Sequence, residues 1–223
     1  MPPSPSPLQT LRSQLTAFPR ARLVAVSKTR STERIMDLYL EGQRCFGENH
    51  ALELRQKAST LPPDIEWHFI GHLQTNKVKI IAPYVHTVHS VDSPRLLDEL
   101  QKRALQNSRT VQVLLQVHIA QEEHKFGFKV PELMDFLQGL EPAEYPNLQL
   151  SGLMGMASLT SQTARIREEF RSLHELFQQI KKLHSDKLHG FEELSMGMSG
   201  DYLMALEEGS TLLRVGSLLF EEP

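Results

Sequence analysis

Lys28 stands just after the apolar run Leu23-Val24-Ala25-Val26, where a buried strand would deliver a side chain to the end of a fold. A lysine amine with its ordinary pKa of about 10.4 is a solvated cation. Desolvation by an apolar strand, or a neighbouring positive charge, makes it a nucleophile towards a carbonyl carbon. Near the other end of the chain, Ser199-Gly200 in "GMSGDY" offers a hydroxyl and an unhindered backbone before a short helical stretch. Gly216-Ser217 in "RVGS" offers a second place where a phosphate could approach backbone N–H groups. Arg214, just upstream, donates hydrogen bonds and accepts none. Taken singly, these residues have plainer readings: Lys28 as a surface charge, Ser199 as a helix cap, Gly216 as a packing glycine.

Whether they meet depends on the elements between them. Short apolar runs alternate with amphipathic stretches along the whole chain. An opening helix is predicted over Leu8–Phe18, and strands at Leu23–Val26, "RCFGEN", "EWHFIG", "VHTVHSV", "TVQVLLQVHI", "LQLSGLMGMA", "EELSMGM" and "TLLRVGSLLF". Helices fall between them, the longest at about Thr163–Leu183, and Ser93 with Pro94 has the pattern of a cap and first turn. Eight such repeats in 223 residues predict an α/β fold, a single-domain (β/α)8 TIM barrel with an extra N-terminal helix. The expected organisation is a disordered proline- and serine-rich leader at residues 1–7 and a barrel over residues 8–223. In such barrels the working groups follow the strands, and a phosphate site is commonly built after strands seven and eight. The first and last strands are neighbours, so Lys28 and Arg214 converge. A phosphorylated aldehyde with a ring nitrogen facing an arginine describes pyridoxal 5′-phosphate.

The segments "AVSKTRS", "CFGENHALE", "WHFIGHLQTNK", "HSVDS", "HKFGF", "SGLMGMA" and "LSMGMSGDY…EEGSTLLRVGSLLF" together resemble the pyridoxal phosphate homeostasis protein family over nearly the whole chain after the leader. The resemblance implies a fold-type III barrel like the N-terminal domain of alanine racemase, holding pyridoxal 5′-phosphate as a Schiff base on Lys28. It places phosphate contacts on Ser199, Gly200, Gly216 and Ser217, the pyridine nitrogen opposite Arg214, and Asn49 in the pocket lining. It assigns no catalytic residue and implies a binding protein of intracellular cofactor homeostasis and amino-acid/keto-acid balance, with apo pyridoxal phosphate-dependent enzymes as recipients. Arg214 cannot take the ring nitrogen's proton, so the ring stays a poor electron sink, which suits a carrier or a racemase better than a transaminase.

The alternative within the same barrel type is an amino-acid racemase. Such enzymes need a second acid/base, usually a tyrosine from an added domain, and Tyr39, Tyr84, Tyr145 and Tyr202 offer no obvious replacement in a chain that ends soon after its eighth strand. An aldolase lysine generally lies later in a barrel. With Lys plus Arg at 24 against Asp plus Glu at 27, nothing favours nucleic acid or an anionic membrane. Cys45 is the sole cysteine, so no intrachain disulfide forms, and it is expected as a small core residue in a cytoplasmic monomer. No metal site is expected: His68 and His72 lie at helical spacing but on a strand, and His86 and His89, three apart in a strand, should face opposite ways. Met154 and Met156 are expected as barrel packing or as an apolar floor under the cofactor ring, His72 has no assigned role, and Asp201 is expected to face outwards.

Overall fold

The computed structural model describes residues 5–122 and 126–220. Eight parallel strands close in sequence order: β1 (Arg22–Val26), β2 (Cys45–Glu48), β3 (Glu66–Phe69), β4 (Val85–Val91), β5 (Val111–Gln116), β6 (Leu148–Met154), β7 (Glu193–Met198) and β8 (Leu212–Val215). Closure runs through β1 and β8, with Val24 opposite Arg214 and Ala25 opposite Val215. Helices α1 (Pro7–Leu15), α2 (Thr32–Leu40), α3 (Ala51–Ala58), α4 (Thr75–Ile81), α5 (Pro94–Gln106), α6 (Val130–Gly139), α7 (Thr163–Leu183), α8 (Tyr202–Glu207) and α9 (Ser217–Phe220) surround it. The barrel predicted from the alternation is therefore present.

Alternation along each strand sorts the side chains into two cores. The large one lies between barrel and helices and takes Leu23, Ala25, Phe46, Trp67, Phe69, Val113, Leu153 and Leu213 with the helix faces. The small one, Val24, Leu114, Met154 and Leu212 with Cys45 and Met156 against it, comes from the opposite face of β1, β5, β6 and β8. Little apolar material thus fills the inside of the barrel. Met154 and Met156 belong to that packing.

Two boundaries and one side-chain cap differ from expectation. The eighth strand stops at Val215, and Ser217–Phe220 turns into α9, whose Leu219 and Phe220 N–H groups reach the Gly216 carbonyl at 2.9 and 3.2 Å. A short apolar run cannot by itself distinguish strand from helix, and the glycine decides it here. Ser93 does not cap α5 with its side chain; its hydroxyl donates instead to Asp92 Oδ1 at 3.2 Å. At the amino end, Pro7 is already helical and Ser6 forms a capping box with Gln9, so of the expected leader residues 1–4 alone lie outside the described residues. The turn after Phe220, and His124 and Lys125 of "HKFGF", also lie outside them.

Candidate functional site

At the carboxyl end of β1, Ser27 N–H is still held by Gly47 of β2 at 3.0 Å, and then the chain turns. Lys28 is exposed, so the strand delivers it to the rim without desolvating it, contrary to expectation. Thr29 follows with φ of 62°, a left-handed conformation in which a β-branched residue is strained. Its N–H donates to Glu53 Oε1 at 2.6 Å, and the same oxygen receives Lys57 Nζ at 2.7 Å. Lys57 also reaches the Ser27 carbonyl at 2.7 Å and Glu48 Oε1 at 2.8 Å, while Ser27 Oγ donates to Glu48 at 2.6 Å. Burial pushes the Glu48 carboxyl above its ordinary value, with the Lys57 and Ser27 hydrogen bonds opposing. The turn bearing Lys28 is thus clamped from β2 and α3.

The loops after β7 and β8 come together beside it. Gly216 N–H donates to Ser199 Oγ at 3.3 Å, which joins two of the expected phosphate residues. A Cβ on Gly216 would lie 3.2 Å from the Val26 carbonyl oxygen, so glycine allows β8 to pass close to the end of β1. A Cβ on Gly200 would meet nothing within 4 Å, leaving open space before its backbone. Ser217 opens α9. Asp201 does not face outwards: it is half-buried, its Oδ1 accepts from Met198 N–H at 2.6 Å, and burial raises its pKa. On the β2 side, Asn49 Oδ1 is buried without a hydrogen-bond partner.

Arg214 projects into the barrel and is 4% exposed. Its Nη1 donates to Ser195 Oγ at 2.6 Å and its Nη2 to the Gly155 carbonyl at 3.0 Å. Burial pushes it down to about 10, which leaves it protonated at neutral pH. Ser195 Oγ lies 2.9 Å from His89 Nδ1, and His89 Nε2 lies 2.8 Å from His68 Nδ1. Because arginine can only donate, Ser195 is free to donate to His89 and His89 to His68, an arrangement that puts the His68 proton on Nε2, which has no partner. Burial, first among the causes, pushes His68 down to about 3 and His89 well below its ordinary value, so both rings are neutral.

The sequence-predicted residues therefore gather at one end. Gly216 bridges Ser199 to Val26, two residues before Lys28, and Arg214 pairs with β1 from inside. Asn49 follows β2, the other neighbour of β1. An amine, a hydroxyl, backbone donors with space before them, an orphaned amide oxygen and a buried donor-only cation fit a phosphorylated aldehyde with a ring acceptor. Sequence reasoning missed the Glu48–Lys57–Glu53 clamp and the His68–His89–Ser195 chain. The i, i+4 spacing of Glu53 and Lys57 on a predicted helix was the one available signal for the first. His86 and His89 also do not diverge: His86 stacks on His68 at 5.8 Å while His89 bonds it, and the ladders of β4 slip in register, with β3 between Trp67 and His68 and with β5 between Val88 and Val91. His72 sits at the surface, 3.4 Å from Asp92 and stacked on Phe126.

Comparison with known proteins agrees with this geometry. The model of the family described as alanine racemase, N-terminal domain, matches residues 8–222. A pyridoxal phosphate homeostasis protein of Aquifex aeolicus is 39% identical over 203 residues, 91% of this chain and 87% of that one. The human protein of the same name is 38% identical, covering 90% of this chain and 76% of its own. PipY of Synechococcus elongatus, 34% identical, superposes with a TM-score of 0.90 in its form without PLP, covering 96% of this chain and 98% of that one. Its form with PLP bound gives 0.86 over the same shares. Alanine racemase from Streptomyces coelicolor, 17% identical with a TM-score of 0.70 over 94% of this chain and 56% of that one, shares the fold.

Proposed function

The chain belongs to the pyridoxal phosphate homeostasis protein family, and from that premise we propose that it binds pyridoxal 5′-phosphate on Lys28 and serves cofactor homeostasis without catalytic turnover. When bound, the cofactor supplies an aldehyde that condenses with a primary amine, a ring acceptor and a phosphate dianion. Lys28 Nζ is the amine. The Ser199 hydroxyl with the Gly200, Gly216 and Ser217 backbone donors holds the phosphate, and Asn49 lines the pocket. Arg214, anchored on Ser195 and Gly155, would supply a donor-only cation for the ring nitrogen and so would disfavour its protonation.

The observation that carries this reading is the Ser199–Gly216 contact, which brings the two phosphate loops to one rim next to β1. The protonated, buried Arg214 argues against transaminase chemistry, and three of the four tyrosines are engaged elsewhere, Tyr39 with Asp64, Tyr145 with Asp98 and Tyr202 with Gln14, which argues against a racemase acid/base. Apo enzymes that use the cofactor are the proposed recipients, and a cytoplasmic monomer is the proposed form; among the described residues no helix is long and apolar enough to cross a membrane.

The test is the absorption spectrum of the purified protein with and without borohydride, beside Lys28→Ala. A yellow band abolished by borohydride, with the reduced adduct mapped to Lys28 by mass spectrometry and absent in the variant, is the expected result. A protein that stays colourless with added pyridoxal 5′-phosphate overturns the proposal. An adduct found on another lysine reassigns the amine.

A further inference from the structure

We infer that Cys45, Glu66 and His68 form a binding site for one divalent metal ion of the zinc class at the amino-terminal mouth of the barrel, the end opposite Lys28. Cys45 and Glu66 open β2 and β3 and are paired in register, and His68 follows two residues along the same face. Cys45 Sγ, a Glu66 carboxylate oxygen and a His68 ring nitrogen all lie within 4.8 Å of one another. An ion with bonds of about 2.0–2.3 Å closes that spacing with small side-chain rotations. Thiolate, imidazole and carboxylate together favour zinc over calcium or magnesium.

An independent observation points the same way. His68 is 1% exposed and its Nε2 is buried without a hydrogen-bond partner, while its Nδ1, on the other side of the ring, is taken by His89. A metal on Nε2 would complete that histidine. The outer partner that ligating histidines use is already in place, since His68 Nδ1–H then donates to His89 Nε2. The hydrogen-bond chain reverses, Ser195 Oγ accepts from both His89 and Arg214, and the unpaired proton moves from His68 Nε2 to the Ser195 hydroxyl.

Charge is consistent with a cation. The Cys45 thiol is 3.1 Å from Glu66 Oε2 and donates its proton to that carboxylate. A dication displaces that proton and neutralises thiolate and carboxylate. Arg22 is the opposing charge nearby, and it is tied to Glu193 at 2.6 Å. Cys45 and Glu66 are half-exposed, which gives an ion and a solvent ligand their way in. His68 and His89 change tautomer but keep their proton count, so the balance is one proton released, from Cys45, for one ion bound.

The test uses the full chain after chelation, titrated with zinc against a metallochromic indicator in weak buffer near neutral pH, beside Cys45→Ser and Glu66→Gln. The expected result is one equivalent bound with release of about one proton, protection of Cys45 from alkylation, and affinity at least about tenfold weaker in each variant. The inference is overturned if the native chain binds no zinc, or if both variants bind it as tightly as the native chain does. His68 is too deeply buried for a variant there to separate binding from folding.

Discussion

Thr29 and its neighbours show how single residues set up the rim. A threonine in the left-handed region costs about 1–3 kcal/mol, and the Glu53 carboxylate holds the turn there by accepting the Thr29 N–H. At the same scale, the neutral histidines inside the barrel make stability depend on pH. His68 is pushed from 6.5 to about 3 by burial, so as pH falls below 6.5 the unfolded chain takes a proton that the folded chain refuses. Its contribution is complete above pH 6.5 and is lost as pH falls towards 3, by about 2 kcal/mol at pH 5. His89 shifts in the same direction and adds to it. Urea midpoints measured between pH 7 and 5 in the presence of a chelator should fall accordingly. A flat profile would mean that water reaches these rings.

Among elements, the clamp between β2 and α3 is the most consequential contact that the order of residues conceals. Lys57 sits on a short polar helix that would pass for solvated, yet it is 5% exposed against a fully buried Glu48. Lys57→Ala leaves that carboxylate buried without its cation, and about 3–5 kcal/mol of stability should be lost. The double variant Glu48→Gln/Lys57→Met should lose less. Urea denaturation of the two distinguishes a charge effect from a packing effect. Between β6 and β7, Gly152 pairs with Glu193, and a Cβ there would come within 1.7 Å of the Glu193 carbonyl oxygen. Gly152→Ala should therefore force the two strands apart and lower the melting temperature more than any substitution at Gly200, where the space is open.

For the molecule as a whole, pyridoxal 5′-phosphate should act as a ligand of the folded state. At one hundred times its Kd it stabilises by about 2.7 kcal/mol, a rise of several degrees in melting temperature that Lys28→Ala should diminish. The barrel was legible from sequence because each repeat carries its own period, apolar run then amphipathic helix, and that order survives in the closed sheet. The rim was legible because Lys28, Ser199 and Gly216 each follow a strand. The interior was not. His68, His89 and Ser195 come from three strands, and the register slips at Trp67/His68 and Val88/Val91 leave no mark in the spacing of residues. The end of β8 was misread for a related reason, since Leu219 and Phe220 are buried whichever structure carries them. The bond from Gly216 to Ser199 bears on a different matter, endurance between loads. A protein that gives up its cofactor has to keep its shape until the next molecule arrives, and here two groups that would hold the phosphate can hold each other. On the proposed reading, loading would exchange one partner for another, which favours exchange of cargo over permanent possession.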